Sequence, residues 1–108
     1  MSARRKEKAV SLLSRLIPEF IKKFSFGKTI VTVTRLEVSD DLRTVKVFIG
    51  AYPQADEART MALLAKKNKE IRKYIGSHIR WKFLPELIFL IDEGEKNRQR
   101  IEELLAKS

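Results

Sequence analysis

Two runs rich in β-branched residues, joined by a stretch long enough only for a turn, constrain this chain most. "TIVTVTRLEVS" (residues 29–39) and "TVKVFIGA" (residues 44–51) have strand composition, because side chains branched at Cβ pack well on a pleated surface. "SDDLR" (residues 39–43) joins them, and so short a connection predicts an antiparallel hairpin. In the second run Val45, Val47 and Ile49 share one face, and Thr44, Lys46 and Phe48 share the other. The first run changes phase: Val31 and Val33 are odd, whereas Leu36 and Val38 are even. A bulge of one residue near Thr34 reconciles the two halves.

A third strand is expected in "PELIFLID" (residues 85–92), with Leu87, Phe89 and Ile91 on one face and Ile88 and Leu90 on the other. Apolar side chains on both faces predict a central strand or one covered on both sides. Val45, Val47, Ile49, Leu87, Phe89 and Ile91 are expected to form one buried sheet face.

Helical spacing accounts for the remainder. Apolar residues 9, 12, 13, 16, 17, 20, 21 and 24 form a stripe, with Arg15, Glu19, Lys22 and Lys23 opposite. Leu13, Leu16, Ile17, Phe20 and Ile21 are expected on the core, Pro18 predicts a kink or restart, and Gly27 marks the following turn. Asp56 reads as an N-cap with Glu57 in the first turn of a helical region whose buried side is Met61, Leu64, Ala65, Ile71 and Ile75. After Asp92 and Gly94, residues 95–106 return to helical spacing through Ile101, Leu104 and Leu105. This order predicts one α+β domain over residues 1–108, with a helix-laden crossover between the second and third strands and residues 1–6 as a flexible arm.

Charge narrows the function. Lys and Arg number 23 against 14 Asp and Glu, a net charge of +9, which suits nucleic acid or an anionic surface as partner. Cysteine is absent, so there is no disulfide framework or thiolate metal site. No uninterrupted apolar segment resembles a signal peptide or reaches the roughly 18 residues of a membrane span, so a cytoplasmic protein is expected. His78 is the single histidine and has no nucleophile or orienting partner marked out in sequence. The adjacent carboxylates of "SDDL" are ordinary turn chemistry. Neither a phosphate-cradling glycine loop nor a metal-binding spacing is present. These features predict a non-enzyme without cofactor, metal or small-molecule substrate.

Three motifs carry a family resemblance. "VTVTRLEVSDDLRTVKVFIG" (residues 31–50) is similar to the hairpin of ribosome-binding factor A, with Ser39, Asp41 and Leu42 in its Ser-x-Asp-Leu turn. "IRKYIGSHIRWKFLPELIFLID" (residues 71–92) resembles that family's Ile-Arg run leading into Pro-Glu-Leu-x-Phe and a closing Asp. "IEELL" (residues 101–105) is similar to its short closing helix. The resemblance implies an α+β, KH type II-like fold: helix-strand-strand-helix-helix-strand with a short C-terminal helix and a three-stranded sheet. Related domains have a Gly-X-X-Gly loop between the paired helices, and this family usually has an Ala-x-Gly kink. Lys67, Asn68 and Lys69 stand at the kink when Ile71 and Arg72 are aligned, so neither motif is present. A bend at Asn68 is still expected, because Asn tolerates left-handed backbone geometry.

The resemblance implies binding to the small ribosomal subunit and its rRNA, with assistance to late maturation, by a monomer. The RNA-contacting residues expected are Lys66, Lys67, Asn68, Lys69, Arg72 and Lys73, joined by Arg80 and Lys82. The bland alternative for that cluster is a solvated helix face. Arg4, Arg5, Lys6 and Lys8 read as an RNA-binding arm or a frayed terminus. Trp81 reads as half-buried core ahead of a base-stacking residue. Two other readings remain: a general single-stranded RNA-binding KH module, and a protein-interaction module that dimerises through Ile88 and Leu90.

Overall fold

The hairpin forms with the bulge its phase change requires. In the computed structural model, which describes residues 3–81 and 83–107, β1 (Ile30–Val38) and β2 (Thr44–Tyr52) pair antiparallel. Ile30 lies opposite Tyr52 and Val38 opposite Val45, and the register shifts between Val33 and Arg35. Thr34 is therefore the additional residue, and Val33, Leu36 and Val38 all meet core-facing partners. The turn is closed by Ser39, whose hydroxyl accepts from the backbone N–H of Arg43 at 3.2 Å and of Thr44 at 3.0 Å. Leu42 adopts a φ of 61°, an unfavourable region for a leucine, and is held there with its side chain buried.

Parallel pairing adds β3 (Glu86–Ile91) to β2, with Leu87 opposite Val45, Phe89 opposite Val47 and Ile91 opposite Ile49. Five of the six expected residues form the buried face, Val45, Val47 and Ile49 fully buried, Leu87 buried and Phe89 packed against them, whereas Ile91, at the end of the strand, is only half-buried. The sheet order is β1-β2-β3, so β3 is an edge strand and not the central one. One face packs inward, Ile88 and Leu90 are half-buried on the other, and the free edge is satisfied by a helix side chain where a central strand would have a further strand.

α1 (Ala3–Ile21) lays Ala9, Leu13, Leu16, Ile17 and Ile21 on the core, and Phe20 packs beside them. Large side chains of this kind contribute about 1.5–3 kcal/mol each when fully buried, so this face is the chief anchor of the helix. It continues through Pro18 without a restart, and Lys22 N–H closes on the Pro18 carbonyl at 3.1 Å. Residues 3–6, expected in a flexible arm, belong to α1; Met1 and Ser2 lie outside the described residues. Lys6 ties this end of the helix to Asp40 at 2.7 Å. Gly27, with a φ of 64°, turns the chain towards β1.

A cis Tyr52–Pro53 bond and a 3-10 turn at Gln54–Asp56 lead into α2 (Glu57–His78). Asp56 occupies the N-cap position, yet its carboxylate accepts from the Thr29 hydroxyl at 2.8 Å instead of from the helix backbone. α2 runs unbroken through residues 67–69, so the expected bend and the expected pair of crossover helices are replaced by one helix of 22 residues. Asn tolerates left-handed geometry without requiring it, and here its side chain gains a tertiary partner from the helical conformation.

α3 (Glu93–Ala106) starts at a true side-chain cap, Asp92 accepting from Glu95 N–H at 3.1 Å. It buries none of its residues and leaves Ile101 and Leu104 exposed.

Candidate nucleic-acid interface

Helical geometry sorts the basic cluster of α2 into three directions. Thr60, Leu64, Ile71 and Ile75 define the buried side, while Ala65, expected there, is exposed. Lys66, Lys69 and Lys73, at offsets of three and four, share the opposite side and are all exposed. They form the outward basic face of this helix.

Lys67 turns towards α1. It is half-buried, reaches Glu70 at 3.4 Å, and its Nζ lies 5.6 Å from the centre of the Phe24 ring. The Phe20 and Tyr74 rings stack there at 4.2 Å, with Lys23 Nζ 5.0 Å from the tyrosine ring. The ring stack joins α1 to α2, the cation–ring contacts join α2 to the turn after α1, and together they leave Lys67 less exposed to a partner than its neighbours.

Asn68 and Arg72 turn towards β3. The Asn68 amide donates to the Leu87 carbonyl at 2.9 Å. Arg72 Nε donates to the Pro85 carbonyl at 3.0 Å, and a second guanidinium nitrogen lies 3.4 Å from the Leu84 carbonyl. Arg72 thus holds the segment before β3, and Asn68 holds the strand itself. Arg80 is exposed beyond the end of α2, and Lys82 lies outside the described residues. The seven of those eight residues that lie within the described part therefore separate into an outward trio, a lysine turned towards the end of α1, two anchors of β3 and the exposed Arg80. Sequence spacing could separate the faces of α2, but not the backbone carbonyls that Asn68 and Arg72 meet.

Trp81 is half-buried and packs against the core, as its bland reading expected. His78 is exposed, its Nδ1 3.0 Å from the Tyr74 carbonyl and 2.9 Å from the Ser77 hydroxyl, an arrangement local to the helix end. Four carboxylates are held below the usual carboxylate range: Asp40 by Lys6, Glu95 by Arg98, and Asp41 and Asp92 by hydroxyl and backbone donors. Asp41 is held there by the Ser39 hydroxyl at 2.7 Å, followed by Arg43 N–H, and serves the hairpin turn. Asp92 is held there by the Thr34 hydroxyl at 2.5 Å, followed by Glu95 N–H and then the charge of Arg35. It joins the bulge of β1 to the start of α3. Among the described residues, no group of three or more His, Asp or Glu side chains could hold a metal ion, and no helix is long and apolar enough to cross a membrane.

A three-stranded mixed sheet, a core-packed first helix and an outward lysine face define a small basic α+β domain with three helices. The family model described as ribosome-binding factor A matches residues 3–105. The chain belongs to the ribosome-binding factor A family. A ribosome-binding factor A of Chlorobium phaeobacteroides is 38% identical over 105 residues, spanning 94% of this chain and 90% of that protein. The counterpart from Halothermothrix orenii is 41% identical over 78 residues, 71% of this chain and 64% of that protein's length.

Solved structures carry the fold. The crystal structure of ribosome-binding factor A from Thermus thermophilus matches with a TM-score of 0.70 at 22% identity, covering 80% of this chain and 93% of that one. A Thermus thermophilus homology model, fitted into the cryo-EM map of a 30S-RBFA complex, matches with a TM-score of 0.65 at 22% identity over 75% of this chain and 88% of that one.

Proposed function

We propose that this chain, acting as one KH-like domain and as a monomer, binds the small ribosomal subunit in the cytoplasm and assists its late maturation. Membership of the ribosome-binding factor A family and the likeness to a chain fitted into a 30S complex support the partner. The observation that carries the contact is the exposed trio Lys66, Lys69 and Lys73 on the outward face of α2. Three ammonium groups on one rigid helix face suit the regular spacing of RNA phosphates, which bind Lys through charge and hydrogen bonds and not through sequence. Arg80 adds an exposed positive charge beyond the end of the helix, with Lys82 following in the chain.

The action proposed is binding without catalysis. Such a factor shifts the folding equilibrium of rRNA only by its differential affinity for two states of the particle, so it must bind the immature state more tightly than the finished one. Gradient co-sedimentation of tagged protein with immature and mature small subunits tests this. The expected result is preferential retention on immature subunits and release by high salt. Equal binding to both subunits and to unrelated RNA would favour the general RNA-binding module.

A further inference from the structure

The charges of α1 run against the helix that carries them. The start of a helix holds the positive end of its dipole, yet the first turn of α1 has no acidic residue and contains Arg4, Arg5 and Lys6, and its last turn has no basic one. Arg4 and Lys8, four positions apart, add like-charge repulsion. Lys6 is offset by Asp40 of the hairpin turn. Folding gains nothing from the remaining charges, and a local rule broken in this way marks a place with another task.

Arg4, Lys8 and Arg15 are all exposed on the side of α1 opposite Ala9, Leu13, Leu16 and Ile17, with exposed Ser11 between them. The helical rise spreads the three cations over about 16 Å. The row is held rigid at both ends. Lys6 reaches Asp40 at 2.7 Å at one end, and beyond Arg15 the Phe20 ring stacks on Tyr74 of α2 at 4.2 Å. Glu19, 3.9 Å from Arg15, closes the row on that side, and Glu7 is exposed at its flank.

We infer that this row is a second RNA-binding surface, occupied by the phosphate backbone of a double-helical rRNA segment. The inference rests on the RNA-binding reading of the protein and adds a line of contact on a different helix from Lys66, Lys69 and Lys73. A phosphate backbone supplies the anions that the first turns of α1 lack, so binding relieves the repulsion that folding imposes. Double-stranded RNA is recognised by shape through its phosphates and 2′-hydroxyls, which suits three long cations and a hydroxyl on a rigid helix. An unpaired base finds no aromatic ring among Arg4, Lys8, Ser11 and Arg15 on which to stack.

Fluorescence anisotropy with a labelled RNA hairpin and an all-uridine strand tests the surface. The variant Arg4→Gln, Lys8→Gln, Arg15→Gln is expected to bind the hairpin more weakly, with the log–log salt slope flattened by about 2–3. On the all-uridine strand it should lose no more than an equal-charge control, Lys22→Gln, Lys23→Gln, Lys28→Gln. Arg4→Glu should weaken hairpin binding while raising the melting midpoint by about 1–5 °C, because an acidic first turn suits the dipole. Hairpin affinity and slope equal to those of the control overturn the surface. Equal losses on hairpin and single strand overturn its assignment to a duplex. A lowered midpoint in Arg4→Glu makes these charges part of the fold and overturns the inference as well. A wild-type protein that binds neither these RNAs nor small subunits overturns the RNA reading itself, an outcome distinct from failure of the α1 row alone.

Discussion

The side-chain amide of Asn68 donates to the backbone carbonyl of Leu87 at 2.9 Å, tying the middle of α2 to the free edge of β3. Glu86 directs its N–H to Arg43 and Asp92 to Ile49 of β2, so residues of odd number in β3 direct theirs away from the sheet. Leu87 would otherwise leave an edge carbonyl without a partner in the protein, and Asn68 supplies one from the helix that covers the strand.

Replacing Asn68 by Ala is accordingly expected to cost about 1–3 kcal/mol of stability, because a partly buried carbonyl loses its donor. Urea unfolding followed by circular dichroism reads the change, with exposed Lys69→Ala as a near-neutral control. An unchanged midpoint for Asn68→Ala would mean that water replaces the amide at no cost.

The same contact shows why the continuity of α2 was not legible in the sequence. "KKNK" is a run of helix-compatible residues around one that tolerates a bend, and local chemistry does not say which tertiary acceptor the Asn will find. Much of the sheet was legible because parity is local: the odd-to-even phase change places the bulge at Thr34, and the shared parity of Val47 and Phe89 places them opposite one another. The edge position of β3 was not, since Ile88 and Leu90 indicate two apolar faces but not which strand lies in the middle. Within the basic cluster, the charges of Lys66, Lys69 and Lys73 were legible, whereas the roles of Asn68 and Arg72 depend on carbonyls 19 and 13 residues away.

Leu13 is fully buried in the face that α1 packs on the core. Leu13→Ala is expected to cost roughly 2–5 kcal/mol, the transfer and cavity terms together. The measurement is again the urea midpoint; an unaltered value would mean that α1 leaves the core in solution.

Asp92 links acid sensitivity to the Thr34–α3 junction. Its folded-state value lies below that of a free carboxylate, chiefly because the Thr34 hydroxyl donates to it. The unfolded chain therefore takes up its proton first as pH falls. The stabilisation is complete above the unfolded value of about 3.9 and disappears as pH falls through the folded value. The stability advantage of wild type over Thr34→Val should be greatest near neutral pH and shrink below about pH 4. Denaturant titrations across that range check it, and a constant difference would detach Asp92 from the effect.

Sedimentation equilibrium of the pure protein should give the monomer mass. Ile88 and Leu90 are only half-buried on the outer sheet face, and a concentration-dependent dimer abolished by Ile88→Glu would support the protein-interaction reading instead.

The most direct test of the central claim is the salt dependence of small-subunit binding by the triple variant Lys66→Gln, Lys69→Gln, Lys73→Gln. Its control, Lys22→Gln, Lys23→Gln, Lys28→Gln, removes the same charge from exposed positions around the end of α1. Each phosphate neutralised contributes a log–log slope of roughly 0.7–0.9, so loss of the α2 face should weaken binding and flatten the slope by about 2–3, with the melting curve unchanged. The control should keep a slope close to that of wild type. Equal slopes and affinities for the two variants would contradict the account and leave Lys66, Lys69 and Lys73 as a solvated helix face.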